Sequence, residues 1–514
     1  MVESILDIIR KICQFTTRPF RKDPIGVFLI YILFSGVQIA YHTNSLFTYG
    51  VYIAIFSFLQ VYAFLLLLTS SMRIYKIIKP VFIVFLVFYF SINLFCYIRL
   101  GCVISPDITE TILATNIHEV KSFFEIYFRQ GDYFIFFIVA VVSYVFNNLS
   151  NKLSCSLSFN KQLVVTILLL LFTFSIIRNN KVACFYWESM QEFYFDEVPD
   201  LSLYYTDPRL AYDGSNLPEK VIVIIGESFT KTHSSLYGYP ICTNPKLEAL
   251  QKDSTLFVLK NVCSPATFTV PAFKYILNTH LLSDPKTVIW YKTITVIEIL
   301  RNLGYSVHWR SNQGRIGKHE NVPTIYSRIC DTAEFYFSNG NDLYKDDVLL
   351  GAEIPAEKKL AVFYHLMGQH GLFRERYPDQ YDVFTSSLYE DFPLNQVEPR
   401  RTYDNATLFN DYVCSELMQR YQDEDAIVFY FPDHGQDIFD VDPDFYGHGR
   451  PGNKESTEVG SQIPFMIYMT HCSQKKHPAI LSRVKDAADT PLCTDEFPYF
   501  LMDILNVQLI DDDL

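Results

Sequence analysis

The stretch VIVIIGES, residues 221–228, decides how the second half of the chain folds. Five apolar residues in succession, Val221 to Ile225, read as a strand buried on both faces. Gly226 then permits a tight turn, which sets Glu227 at the carboxyl end of that strand. Open α/β sheets bind ligands at that end. Taken alone, Glu227 reads equally as a solvated loop carboxylate or a charge before a helix. A second run, IVFYFPDHG at residues 427–435, repeats the pattern and ends in Asp433 and His434. Two strand ends carrying carboxylate oxygens and an imidazole match the donor set of a zinc-type site.

Outward from these runs, strand and helix signals alternate. Strands are expected at 221–226, 256–262, 305–310, 360–366, 426–431 and 463–469. Helices are expected near 243–252, 271–279, 294–303, 402–421 and 493–505. This alternation predicts an α/β fold, a mixed sheet with helices on both faces. Segments 372–400 and 435–460 read as long surface excursions beside the candidate residues, where long loops tend to be functional.

The hydroxyl chemistry lies in NVCSPATFTVPAF, residues 261–273. This run leaves a strand and enters a helix whose first turn holds Pro271. Thr269 stands before that helix, where unpaired backbone N–H groups favour developing negative charge. That position suits a nucleophile that becomes a phosphoester, and it equally suits a capping threonine. Thr267 and Ser264 are the rival hydroxyls. Coordination to a divalent metal would lower the hydroxyl's pKa without a dedicated base. Three histidines fall on expected strand ends beside glycines: His365 and His370 in FYHLMGQHG, and His448 in FYGHGRP. Such imidazoles can hold phosphoryl oxygens and protonate a leaving alkoxide. SNQGRIGK, residues 311–318, offers Asn312, Arg315 and Lys318 for the same task.

The first third of the chain has a different character. The chain has 514 residues, too many for one ordinary domain, and its apolar blocks crowd before about residue 180. Stretches 25–41, 47–70, 78–98, 133–149 and 162–178 are near the roughly 20 apolar residues that a membrane crossing needs. Arg10, Lys11, Arg18, Arg21 and Lys22 precede the first stretch, and the loop at residues 42–45 has neither Lys nor Arg. The positive-inside bias therefore puts the amino terminus in the cytoplasm and everything after about residue 180 outside. Between the third and fourth stretches, residues 106–130 carry apolar residues at helical spacing, which suggests an amphipathic helix on the outer membrane surface. Thr111, Thr115 and Glu119 share one face of it. Residues 179–216 are aromatic and polar, and read as a linker lying on the membrane, leaving 217–514 as the soluble domain. The net charge of −13 argues against a nucleic-acid partner. The eleven cysteines include no CxxC pair, and some in the second half can pair if that half is extracytoplasmic.

At these residues the chain resembles the phosphoethanolamine transferases of Gram-negative bacteria, in the alkaline phosphatase/sulfatase superfamily. The resemblance is carried by IGES with LYGYPICTNPKL, NVCSPATFTVPAF, HLMGQHG, YDNATLFNDYV, FPDHGQDI, GHGRPG and IPFMIY. It implies a five-helix transmembrane domain followed by a sulfatase-like domain in the periplasm, as a multi-pass protein of the inner membrane. It implies transfer of phosphoethanolamine from phosphatidylethanolamine to a lipopolysaccharide acceptor, lipid A or core sugar, by a zinc-dependent enzyme through a phosphothreonine-type intermediate. On the family pattern Glu227, Thr269, Asp433 and His434 hold Zn2+, Thr269 is the nucleophile, and His370 and His448 handle the phosphoryl group or a second zinc. Thr115 and Glu119 match donor-binding positions, Thr111 stands where relatives often have Asn, and Asn312 and His365 are further candidates for substrate contact. A monomer is expected. Around Thr269, Pro265 and Phe268 depart from the lipid A enzymes, and the chain looks closer to the branch acting on inner-core sugar. A glycerol-phosphate transferase of the lipoteichoic acid type and an inactive lipid-binding relative are the competing readings. A sulfatase needs an arginine that CSPAT lacks.

Overall fold

The computed structural model describes residues 2–45, 47–104, 128, 130–150, 153, 155–178, 210–212, 217–285, 288–314, 322–336, 345–449 and 453–510. The chain divides into two compact units, one of helices alone among the described residues and one built on a sheet.

The helical unit opens with α1 (Val2–Thr16) and the short α2 (Arg18–Lys22). It continues through α3 (Pro24–Ser45), α4 (Phe47–Leu68), α5 (Met72–Leu100), α6 (Gln130–Ser150) and α7 (Phe159–Arg178). Four of these, α3 to α6, are long and apolar enough to cross a membrane. In α7 the apolar segment is Phe159–Leu171, within a helix of 20 residues. Arg73, Lys76 and Lys79 lie in the first turns of α5. Lys79 is buried because Asp23 of the α2–α3 junction receives its ammonium at 2.6 Å. The same carboxylate accepts from Ser150 Oγ at 2.6 Å and from the Gly26 N–H at 2.8 Å. A charged group buried this deeply needs such partners, and the cluster ties α3, α5 and α6 together. At the opposite end of α5, Arg99 pairs with Asp132 of α6 at 2.7 Å.

The second unit is a seven-stranded mixed sheet. Its strands are β1 (Lys220–Gly226), β2 (Leu256–Leu259), β3 (Ser306–Ser311), β4 (Thr332–Phe335), β5 (Leu360–His365), β6 (Ala426–Pro432) and β7 (Phe465–Met469). The spatial order is β2-β7-β6-β1-β5-β3-β4. All neighbours are parallel except β7, which runs antiparallel to both β2 and β6. β1 is central because it is apolar on both faces. Val221, Val223 and Ile225 pack in one layer, with Val270, Phe273 and Ile276 of α8 (Thr269–Ile276) and the helix Phe497–Leu505. Ile222 and Ile224 pack in the other, against Tyr403, Phe409 and Val413 of the long helix α9 (Leu394–Gln419). Each fully buried side chain of this kind stabilises the fold by about 1.5–3 kcal/mol.

The six expected strands are all present. The seventh, β4, is an edge strand whose residues are largely exposed, so it carries no apolar run to announce it. The helix α9 begins eight residues earlier than expected, at Leu394, and carries Pro399 inside it. The excursion at 435–460 contains the helix Lys454–Ser461, capped by the Asn453 side chain. The expected amphipathic helix near 106–130 and most of the linker at 179–216 lie outside the described residues.

Candidate metal centre and nucleophile

The register of the two central strands builds the site. Gly226 of β1 pairs with Pro432 of β6, so the next residues, Glu227 and Asp433, emerge side by side. Gly226 is required there, because a Cβ on it would meet the Tyr430 hydroxyl at 2.6 Å. Behind Glu227, the Gly368 turn after β5 packs so closely that a Cβ on it would stand 2.5 Å from the Glu227 carbonyl oxygen, at φ +49°. Ser228 adopts φ 59°, an uncommon conformation for a residue with a side chain. Its hydroxyl donates to Glu227 Oε1 at 2.7 Å.

Asp433 has one oxygen engaged and one left over. Its Oδ1 accepts the backbone N–H groups of Ser228 at 3.2 Å and His434 at 2.7 Å. Its Oδ2 is buried without a hydrogen-bond partner. The His434 ring is oriented by a 2.9 Å contact between Nδ1 and the Gly435 carbonyl, which turns Nε2 inward. Nε2 then lies 3.3 Å from Glu227 Oε1 and 3.4 Å from Asp433 Oδ2. The ligand atoms of Glu227, Asp433 and His434 all fall within 4.8 Å of one another. Thr269 is the first residue of α8. Its hydroxyl reaches the same point, 3.3 Å from Glu227 Oε2 and 3.4 Å from His434 Nε2.

The electrostatics are those of a cation site. Burial pushes the Glu227 carboxyl up, but hydrogen bonding and charge from His434 outweigh it and hold the group well below the usual range. Burial, reinforced by repulsion from Glu227, pushes Asp433 up to about 8. Burial works to lower His434, yet the two carboxylates raise it to about 9. Two crowded carboxylates and an imidazole thus share protons where one dication would satisfy all three. The orphaned Asp433 Oδ2 and the oxygen–nitrogen donor set fit Zn2+.

The other candidates are distributed unevenly. The His448 ring stands edge-on to His434, with centroids 4.7 Å apart, and faces Phe268 at 4.9 Å. His370 is near enough to interact with Glu227 and His434. Burial lowers both, His370 to about 4 and His448 well below its ordinary value. His365 sits differently. Its ring packs against Phe273 and Trp309, its Nδ1 meets Ser311 Oγ at 3.2 Å, and burial lowers it to about 4 against attraction from Glu227. Asn312 also points elsewhere, donating its amide to Asp346 at 2.9 Å. Of the rival hydroxyls, Ser264 donates to the Asp433 carbonyl, and the Thr267 methyl would crowd a Cβ placed on Gly449. Thr111, Thr115, Glu119, Arg315 and Lys318 lie outside the described residues.

Two residues matter that the sequence reading passed over. Gln313 donates its amide to Glu227 Oε2 at 3.2 Å and to the Leu366 carbonyl at 2.8 Å, which clamps the carboxylate. Asp346 accepts the N–H groups of Met367 and Gly368, both at 2.8 Å, and so fixes the turn behind Glu227. Gln313 was in view within SNQGRIGK, but nothing local distinguishes it from Asn312.

The sulfatase family profile matches residues 219–507, more than half of the chain. The chain belongs to the sulfatase family. Within this family it is similar to phosphoethanolamine transferase EptC of Escherichia coli O18:K1:H7, at 28% identity over 290 residues, 53% of this chain and 49% of the relative. The chain thus spans about half the length of the curated relatives it matches. Among solved structures, the periplasmic domain of Escherichia coli EptC in complex with Zn superposes with a TM-score of 0.53 at 23% identity, covering 59% of this chain and 87% of that one. The integral membrane lipooligosaccharide phosphoethanolamine transferase A of Neisseria meningitidis superposes with a TM-score of 0.61 at 17% identity, over 94% of this chain and 95% of that one. At these identities the likeness is one of fold: apolar N-terminal helices, then a sulfatase-like mixed sheet.

Proposed function

We propose that this sulfatase-family protein is a zinc-dependent phosphoethanolamine transferase of the inner membrane, with its sheet domain in the periplasm. It takes phosphoethanolamine from phosphatidylethanolamine and passes it to a lipopolysaccharide acceptor, lipid A or core sugar. One observation carries the reading: the Thr269 hydroxyl meets Glu227 and His434 at the point where three buried ligand groups converge. The names of the curated relatives and the Zn complex of a structural neighbour support it.

Glu227, Thr269, Asp433 and His434 would hold the Zn2+, which when bound acidifies the hydroxyl and neutralises charge on the phosphoryl oxygens. In the first half-reaction Thr269 Oγ gives up its proton and attacks the donor phosphorus. An oxygen–phosphorus bond to Thr269 forms, the bond to the glyceryl oxygen breaks, and diacylglycerol leaves after taking up a proton. In the second, an acceptor hydroxyl attacks the phosphothreonine and loses its proton, the Thr269 oxygen–phosphorus bond breaks, and Thr269 Oγ takes up a proton. Burial keeps His370 and His448 neutral near pH 7 in the resting site. In that state an imidazole donates one N–H to a phosphoryl oxygen and can take the acceptor's proton at its other nitrogen. An arriving anionic phosphate raises their proton affinity, which supplies the acid for the departing alkoxide. Placement of α8 adds backbone N–H groups behind Thr269, a favourable setting for a phosphoester. Thr111, Thr115 and Glu119 would contact the donor headgroup, and residues 106–130 would bring it along the membrane surface.

The test is the mass of lipopolysaccharide from cells carrying the wild type or Thr269→Ala. Wild type should add one phosphoethanolamine to lipid A or core, and the variant should lose at least about a thousandfold of that activity. Unchanged lipopolysaccharide alongside a glycerol-phosphate product would replace this reading with the polymerase one.

A further inference from the structure

The segments Val262–Cys263 and Leu492–Cys493 form a two-stranded parallel ladder apart from the main sheet. Its register sets Cys263 opposite Cys493. Neighbouring strands lie about 4.8 Å apart, and a disulfide requires Cα atoms roughly 4.4–6.8 Å apart. The two thiols are close enough to perturb each other's proton binding. Both residues are partly exposed, so an oxidant can reach them.

We propose that Cys263 and Cys493 form a disulfide in the exported protein, stapling the segment that leads to Thr269 onto the segment that enters the helix Phe497–Leu505. The inference rests on the periplasmic placement above, because only an oxidising compartment sustains such a bond. Cys263 is the attacking group. Interaction with Cys493 brings its thiol down to about 7, against burial and repulsion from Asp495 and Glu496, so part of it is thiolate near neutrality. The thiolate attacks one sulfur of an incoming protein disulfide, forming a mixed disulfide and expelling one thiolate of the oxidant. Cys493 then gives up its proton and attacks the Cys263 sulfur, expelling the other. Two thiols become one disulfide, and the incoming disulfide becomes a dithiol carrying the two electrons and two protons.

The bond would close a loop of about 230 residues, a length at which cross-linking strongly restricts the unfolded chain. It also acts locally. Cys263 lies six residues before Thr269, and the neighbouring Ser264 hydroxyl is bonded to the Asp433 carbonyl. A fixed Cys263 therefore holds the nucleophile's approach segment against the strand end that carries the metal ligands.

The experiment uses the full-length protein, alkylated with N-ethylmaleimide in intact cells, purified in detergent and digested without reductant. A peptide joining residues 263 and 493 is expected, with both cysteines free only after reduction. Singly alkylated Cys263 and Cys493 peptides in the unreduced sample would overturn the proposal. Labelling of exposed Cys242 by a membrane-impermeant maleimide in spheroplasts reports separately whether the domain is outside, so an error in placement is told apart from an error in pairing. As a second readout, Cys263→Ser, Cys493→Ser and the double variant should share one downward Tm shift of several degrees that reductant reproduces in the wild type. Independent, additive shifts that reductant does not reproduce would also overturn it.

Discussion

Glu227 has four obligations: a ligand direction toward His434, hydrogen bonds from Ser228 and Gln313, and a main chain pinned against Gly368. Its neighbours therefore decide where its carboxylate points, which is how a metal site gains precision. Gln313 is the clearest case. Gln313→Leu keeps the volume and removes both hydrogen bonds, so Glu227 can rotate away from the shared centre. Zinc affinity, measured by competition with a chelator, should fall about 10–100-fold while the melting temperature changes little. An unchanged affinity would mean the amide plays no part in holding the carboxylate. Glycine, proline and strand-end context mark Thr269, Asp433 and His434 locally as candidates, and the structure brings the three together. Gln313 and Asp346 carry no such mark, because their importance is a contact between strands far apart in the chain.

At the scale of elements, helix ends do much of the positioning. The helix Pro245–Lys252 has Pro at its start and the N–H groups of Lys246 and Leu247 to satisfy. Asp411 of α9 takes both at 2.9 Å. Burial pushes this carboxyl up to about 7, which the two N–H groups only partly offset. Asp411→Ala should cost about 1–3 kcal/mol in thermal or denaturant unfolding, the expected penalty for leaving buried donors unpaired. A cost near zero would mean that solvent replaces the cap. The same pairing explains what the sequence could and could not reveal. Apolar runs such as 221–225 and 426–431 announce central strands without any partner in view. Edge strand β4 has no such run, and the short helices at 471–476 and 478–486 are held by caps and packing rather than by a long periodic pattern.

At the scale of the whole molecule, two units of opposite character follow one another. In the helical unit, Asp23 and Lys79 form a buried ion pair. Lys79→Met leaves the Asp23 carboxylate buried with only its hydroxyl and backbone donors. It should destabilise the detergent-solubilised protein by about 3–5 kcal/mol, and Asp23→Asn in the same chain should recover part of the loss. If Lys79→Met melts with the wild type, the pair is not a structural tie. In the sheet unit, Glu227, Asp433 and His434 are buried together at two neighbouring strand ends, where a shared cation would satisfy them.

The most direct test of the central claim is to trap the half-reaction. Purified full-length protein loaded with zinc is given phosphatidylethanolamine and no acceptor, quenched, digested and read by mass spectrometry. The account predicts released diacylglycerol and a phosphoethanolamine adduct on Thr269, both absent after metal removal. Diacylglycerol release with the adduct on Thr267 or Ser264, or with no adduct on the protein, would contradict it.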